Sequence, residues 1–298
     1  MKIYYGTPEC QIDVTDICYT ELLHGDIIVI PPGDIIRARI FTDPVHGVVK
    51  KIFVQLKDDD NIVEYSHVLS IHINIVEHTI TLDFIYSKLF QIHSQLKIIG
   101  GSFTDEIEEQ KMSYKYLKGD EKVLEIGGNI GRNSMIIAYL LGENQNNLVV
   151  LESDENSANV LRQNRKLNNM NFHIENSALS KRKLIQRQWD TIPSDELLNG
   201  YKWVNTITLE ELRAKYKIQF DTLVLDCEGA FYYILMDMPD IMDNIKLIIV
   251  ENDYHDISHK EYIDTVLQQN NFNRTYVQSG GWHLPCSQFF YEVWERLK

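Results

Sequence analysis

The chain has 298 residues, 44% of them hydrophobic, with a formal charge of −14, enough for a large core divided over one or two domains. That acidity opposes phosphate backbones and so disfavours nucleic acid as a partner. Four cysteines without a C-x-x-C pair argue against a zinc ribbon or a disulfide framework, and no uncharged apolar run approaches the about 18 residues of a membrane span. The start, MKIYYGTPEC, carries no apolar h-region, so a cytoplasmic chain without a membrane partner is expected. The basic residues Arg162, Arg165, Lys166, Lys181, Arg182 and Lys183 read as solvated helix and loop charges.

Residues 1–77 predict a β-rich domain of unassigned role. "DIIVIPPGDIIRARIF" offers two β-branched runs around a Pro-Pro-Gly-Asp turn. "VVKKIFVQL" and "NIVEYSHVLSIHINI" flank KDDDN, where Asp58, Asp59 and Asp60 read as an exposed turn rather than a calcium loop. Short strands at that spacing predict a small sandwich or barrel. His67, His72 and His78 show no ligand spacing. Over 78–118, "LDFIYSKLFQIHSQL" and "TDEIEEQKMSYKYL" place apolar residues three and four apart, so two helices are predicted, as a linker.

From 119 to 298 the rhythm becomes strand, helix, strand. "KVLEIGG" precedes the helix "RNSMIIAYLL". "NLVVLES" precedes "DENSANVLRQNRKLNN", capped by Ser153 or Asp154. "FHIENSAL" reads as a third strand, "TLEELRAKY" as a helix, "FDTLVLDCEG" and "IKLIIVEND" as the fourth and fifth strands. The runs VLEI, LVVL, TLVL and LIIV are continuously apolar, as strands covered on both faces should be. This is an α/β, doubly wound pattern. "NRTYVQ" and "SQFFYEVW" close it as an antiparallel hairpin around SGGWHLPC. Trp282 and His283 in that loop are read as packing back on their own domain, with stacking on a sugar as the alternative.

Ligands of such folds sit beyond the C-terminal strand ends. There the chain places Glu125, Gly127, Gly128, Asn129 and Gly131, then Glu152, then Ser177 and Ala178, then Asp226 and Glu228, then Glu251, Asp253 and His255. G-x-G-x-x-G and G-K-[ST] are both absent. Three glycines within five positions suggest a ligand against bare backbone, and Asn129 tolerates a left-handed turn. Glu152 can accept hydrogen bonds from both hydroxyls of a ribose. S-adenosylmethionine (SAM), with a sulfonium, a diol and no phosphate, fits this pattern better than a dinucleotide. The expected cofactor residues are Glu125, Gly127, Gly128, Asn129, Gly131, Asn133, Glu152, Ser153, Ser177, Ala178 and Asp226. A base should assist a hydroxyl acceptor, and Asp226, Glu228, Glu251 and His255 are the candidates. A divalent metal is compatible with these carboxylates but nothing in their spacing demands one, so no metal ligands are assigned.

"VLEIGGNIG", "LVVLESDENSANVLRQN", "NSALS", "VNTITLEEL" and "FDTLVLDCEGAFYYIL" together resemble the FkbM-type family of SAM-dependent methyltransferases. The resemblance runs over roughly 100–294, and Asp226–Gly229 is its most specific piece. It implies a Rossmann-like class I methyltransferase sheet of seven strands and O-methylation (EC 2.1.1.-) of a sugar or glycan, for example a nucleotide sugar or surface polysaccharide. A homodimer is compatible with it. Cys227 stands where a β-branched residue is common, and Phe231-Tyr232-Tyr233 replaces a more usual acidic position. Methylation of RNA ribose or of a small metabolite, and a non-enzymatic SAM- or glycan-binding module, are the alternatives.

Overall fold

A computed structural model describes residues 1–298 except 57–60, 189, 282–284 and 298. The readings of Asp58, Asp59, Asp60, Trp282 and His283 therefore lie outside the described residues. The chain divides into two compact units, Met1–Gln95 and Leu96–Lys298. Among the described residues no helix is long and apolar enough to cross a membrane.

The first unit contains β1 (Lys2–Thr7), β2 (Cys10–Asp13), α1 (Thr15–Glu21), β3 (Leu23–His24), β4 (Ile27–Ile30), α2 (Asp34–Phe41), β5 (Lys51–Gln55), β6 (Ile62–Tyr65), β7 (Ser70–Asn74), β8 (Thr79–Asp83) and α3 (Phe84–His93). Its strands form two antiparallel sheets, ordered β2-β1-β5-β6 and β3-β4-β7-β8. Ile3 and Tyr5, Ile28 and Ile30, Ile52 and Val54, and Ile71 and Ile73 fill one core between them. Each pair is two residues apart, the period that puts side chains on one face of a strand. The second half of "DIIVIPPGDIIRARIF" is a helix, not the strand its β-branched residues suggest. Tertiary bonds override propensity there. Arg37 is fully buried and donates to the carbonyls of Pro31 (2.8 Å), Ser66 (3.3 Å) and Leu69 (2.6 Å), while Asp34 accepts from the Tyr5 hydroxyl (2.7 Å) and the Lys50 amide (3.1 Å).

Because β8 and α3 fall in the first unit, the stretch 78–118 does not stand as a linker. Its remainder opens the second unit, with a 3₁₀ turn at Phe103–Glu106 leading into α4 (Ile107–Tyr116). The second unit continues through β9 (Val123–Ile126), α5 (Arg132–Leu141), β10 (Leu148–Leu151), α6 (Glu155–Leu167), β11 (His173–Glu175), β12 (Ala178–Leu179), β13 (Leu184–Arg187), β14 (Asp190–Pro193), β15 (Lys202–Val204), β16 (Thr206–Ile207), α7 (Leu209–Tyr216), β17 (Thr222–Leu225), α8 (Phe231–Asp237), β18 (Leu247–Glu251), α9 (Ile257–Gln269), β19 (Phe272–Gln278) and β20 (Tyr291–Arg296).

Seven of these strands form one sheet in the order β11-β10-β9-β17-β18-β20-β19. The first five are parallel, and β20 lies antiparallel between β18 and β19. Counted in chain order this is 3-2-1-4-5-7-6, the sheet of class I methyltransferases. Both faces are covered. Leu124, Ile126, Leu223, Leu225, Ile248 and Val250 pack on one side, and Val123, Val150, Val224, Ile249 and Val293 on the other. That explains why the strand sequences are apolar without alternation.

Two features differ from the reading of the sequence. "FHIENSAL" is not one strand: His173–Glu175 joins the large sheet, while Ala178–Leu179 leaves it to pair with Thr206–Ile207. β13, β14 and β15 add a small antiparallel sheet with β13 in the middle, ordered β14-β13-β15, that nothing in the strand rhythm announces.

Candidate active site

Strand order reverses between β9 and β17, so their C-terminal ends leave a crevice with no crossover across it. Gly127 closes the floor. Its φ is +94°, and a Cβ there would lie 1.5 Å from the Asp226 carbonyl oxygen. The other two glycines serve packing in the same way: a Cβ at Gly128 would meet Val150 at 2.2 Å, and one at Gly131 would meet Leu161 at 2.3 Å. The chain's own neighbours therefore require this glycine cluster. The expectation of a ligand pressed against all three is narrowed to Gly127, which alone of them lines the crevice. Asn129 takes the left-handed turn expected of it, with φ +47°.

The loop's amides are already committed. Gly127 and Gly128 donate to the Leu151 carbonyl (both 3.0 Å), Gly131 donates to Gly128 (2.8 Å), and Asn129 donates to Glu152 Oε2 (2.7 Å). Glu152 Oε1 accepts from the Asp154 amide (2.6 Å). Both oxygens are thus fixed in place while keeping acceptor capacity for a diol. Burial pushes the Glu152 carboxyl up, opposed by those two amides.

The crevice opens into a cavity of about 930 Å³, near the top of the about 300–1,000 Å³ range of ligand sites. It has room for a nucleoside cofactor and an acceptor together. Gly127, Asn129, Glu152, Ser153, Ser177, Ala178, Asp226, Glu228, Glu251 and His255 line it. Glu125, Gly128, Gly131 and Asn133 do not. Strand alternation turns Glu125 toward α5, where only 2% of it is exposed and burial pushes its carboxyl up to about 8, partly offset by Ser134. A neutral Glu125 supports the fold below its ordinary pKa, and that support is lost as pH rises through about 8. Asn133 accepts from the Ser113 hydroxyl (2.9 Å) inside the helix layer.

The walls are acidic. Asp105, Glu106, Glu108 and Glu109, on the turn before α4 and its first residues, join Glu152, Asp190, Asp226, Glu228, Asp237, Glu251 and Asp253 around the cavity. The guanidinium facing these eleven carboxylates, Arg182, is held in a two-pronged pair by Asp237 (2.6 and 2.8 Å). Arg132 fixes the turn before α4, donating to Glu106 (2.5 Å) and Asp105 (3.2 Å).

Glu109, Asp226 and Glu251 bring one oxygen each to within 4.8 Å of one another. Burial, then the neighbouring carboxylates, raise Asp226 and Glu109 well above the usual range. Burial lifts Glu251 to about 7, and a hydrogen bond from Glu109 restrains it. These three could hold a hard divalent cation through oxygen ligands. A hydrogen bond between Glu109 and Glu251, which raises the first and restrains the second, needs a proton on one of them and no ion. Glu228 sits at the rim in a left-handed turn, φ +51°. Partial burial and then Asp253 push it up to about 8. His255 is exposed at the mouth.

The sequence reading missed Glu106 and Glu109, which it placed in a linker, and Leu184, Gln186, Asp190, Thr191, Ile192 and Pro193 of β13 and β14, which form one wall. A signal for Glu109 existed: it shares the buried side of α4 with Met112 and Ser113, where a carboxylate is costly without a purpose.

No family model matches the chain, and no curated protein matches it. The solved structures it resembles include an O-methyltransferase from Bacillus cereus in complex with SAH, at 14% identity over 72% of this chain and 91% of that one, with a TM-score of 0.41. They also include an rRNA methylase from Streptococcus thermophilus, at 10% identity over 64% and 95%, with a TM-score of 0.39. Likeness at this level adds nothing to what the strand order already says.

Proposed function

We propose that the chain is an FkbM-type, SAM-dependent methyltransferase that methylates a hydroxyl of a sugar or glycan. The observation that carries the cofactor assignment is the state of the glycine loop. A pyrophosphate needs free backbone N–H groups and a positive field. Here the N–H groups of Gly127, Gly128, Asn129 and Gly131 are spent inside the protein, and the walls carry eleven carboxylates. A cationic, phosphate-free nucleoside suits that environment.

Glu152 would hold the ribose hydroxyls, Ser153, Ser177 and Ala178 would flank the base, and Gly127 and Asn129 would border the methionine part. Asp226, enclosed on all sides but the cavity, would face the ammonium and sulfonium charges. The cofactor supplies an electrophilic methyl group; the chain supplies position and a proton acceptor. Glu251 would accept the proton of the acceptor's hydroxyl, because burial holds its carboxyl at about 7, nearest neutrality among the enclosed acids that line the cavity. Carboxylates also suit the many O–H donors of a sugar, and they repel acceptors that bring phosphate into the cavity.

Transfer of a labelled methyl group from SAM to neutral glycosides and oligosaccharides, nucleotide sugars and RNA tests this reading. Label is expected on a sugar, with the neutral glycosides and oligosaccharides favoured over the nucleotide sugars. Preferential labelling of RNA would overturn the acceptor assignment while leaving the cofactor assignment standing.

A further inference from the structure

The two helices that start at the cavity carry aromatic residues that their inner faces do not use. α8 follows the strand end of Asp226 and Glu228, and α9 follows that of Glu251 and Asp253. α8 buries Phe231, Ile234 and Leu235, and α9 buries Lys260, Ile263 and Leu267, each set at the three- and four-residue spacing of one helix face. The positions off that face should be polar, yet they hold Tyr232, Tyr233 and Tyr262. Tyr232 and His259 lie stacked, with centroids 3.8 Å apart and planes at 9°. Tyr233 and Tyr262 meet Tyr232 at near-right angles, at 5.1 and 5.2 Å. Tyr233 is 37% exposed and Tyr262 39%, so both rings are offered to water. Tyr233 also lines the cavity. The rings therefore run in unbroken contact from the cavity wall to the outer surface.

We infer that Tyr233, Tyr232, His259 and Tyr262 bind the sugar rings next to the one that is methylated, so that the acceptor is a chain of neutral sugars rather than a single one. This rests on the acceptor reading above. With the cofactor and one sugar inside, the rest of a chain leaves by the mouth, past His255 and Tyr233. A pyranose has a face of C–H groups and a rim of hydroxyls. The C–H groups suit the negative face of an aromatic ring, and a tyrosine hydroxyl can donate to or accept from the rim. Nucleic-acid bases also stack on such rings, but their phosphates call for cations. Arg182, 4.9 Å from the centre of the Tyr233 ring, is taken up by Asp237. Asp256 caps α9, and Glu261 stands exposed beside Tyr262. The charge around the rings thus disfavours a phosphate chain and leaves a neutral one.

The test measures methyl transfer by the whole chain to the methyl glycosides of glucose, galactose, mannose and rhamnose, each as mono-, di- and tetrasaccharide. For the accepted sugar, kcat/KM is expected to be about 10-fold higher for the tetrasaccharide than for the monosaccharide, mostly through KM. Tyr262→Ala should cut that ratio by about 5-fold, the effect of one stacked ring, while Tyr262→Phe, which keeps the ring, should retain it. If alanine lowers the melting temperature, Tyr262→Leu is the equivalent probe. Equal transfer to short and long acceptors, or a ratio unchanged in Tyr262→Ala, would overturn the inference and leave the acceptor reading standing. A change of oligomeric state in that variant without a change in the ratio would assign the rings to a second copy of the chain and overturn it too. Transfer to none of the glycosides by a chain that binds S-adenosylhomocysteine would sink the acceptor reading and this inference with it.

Discussion

Gly127→Ala is expected to prevent the second unit from folding. The added methyl would lie 1.5 Å from the Asp226 carbonyl oxygen and 2.6 Å from its carbonyl carbon. Both are backbone atoms of the adjoining strand end, so no rotamer change relieves the overlap. The residue also keeps φ +94°, where a side chain adds about 1–3 kcal/mol of strain. Relief requires β9 and β17 to part at the centre of the sheet, at a cost above the about 4 kcal/mol that marks exceptional substitutions. Two other glycines grade the argument. Gly131→Ala meets Leu161 Cδ1 at 2.3 Å, the end of a side chain that can turn, so an intermediate loss is expected. Gly142→Ala, at φ +56° with nothing within 4 Å, should cost only the about 1–3 kcal/mol of a side chain held at positive φ. Denaturant titration of the three variants measures the order directly. A Gly127→Ala chain as stable as Gly142→Ala would mean that the loop does not approach Asp226 as described.

Glu251→Gln is expected to lower turnover by about 100- to 10,000-fold, the usual worth of a positioned base, while leaving affinity for S-adenosylhomocysteine near that of wild type. In wild type, kcat/KM should rise with pH and reach half its maximum near 7. The sign follows from the role: the carboxyl must be ionised to take a proton, and burial holds it at about 7. The apparent value belongs to the Glu109–Glu251 pair, since the two share a hydrogen bond. The limb should vanish in the variant. Asp226→Ala is expected to abolish turnover by a different route, losing cofactor affinity as well. Survival of the same limb in Glu251→Gln would assign the proton to another group, with Glu228, at about 8, the next in line.

The parts that were legible in the sequence are those whose cause is local or periodic. Continuous apolar runs marked the strands because helices cover both faces of the sheet, and the polar residues after Leu151, Leu225 and Val250 marked the cavity because strand ends face it. Asp154 was readable as a cap, and it accepts from the Ser157 amide at 2.9 Å. What escaped depends on distant partners. The helices α1 and α2, of seven and eight residues, are too short to show a period, and α2 is held by Arg37 and Asp34 rather than by propensity. The glycines looked like ligand contacts because the sequence does not reveal that Val150, Leu161 and Asp226 press on them. Glu125 looked like a site residue by its position after a strand's apolar residues, yet the pleat turns it into the helix layer. The small sheet of β13, β14 and β15 escaped because it is placed by distant partners, Gln186 bonding Ser153 and Lys202 bonding Asp154.

Titration of the whole chain with S-adenosylhomocysteine, with NAD as the control, tests the cofactor claim most directly. S-adenosylhomocysteine at about 100 times its Kd should add about 2.7 kcal/mol of stability, a rise of roughly 5–10 °C in the melting temperature of a unit this size, and NAD should produce none. Binding of NAD in the crevice, or no response to S-adenosylhomocysteine by a folded chain, would contradict it.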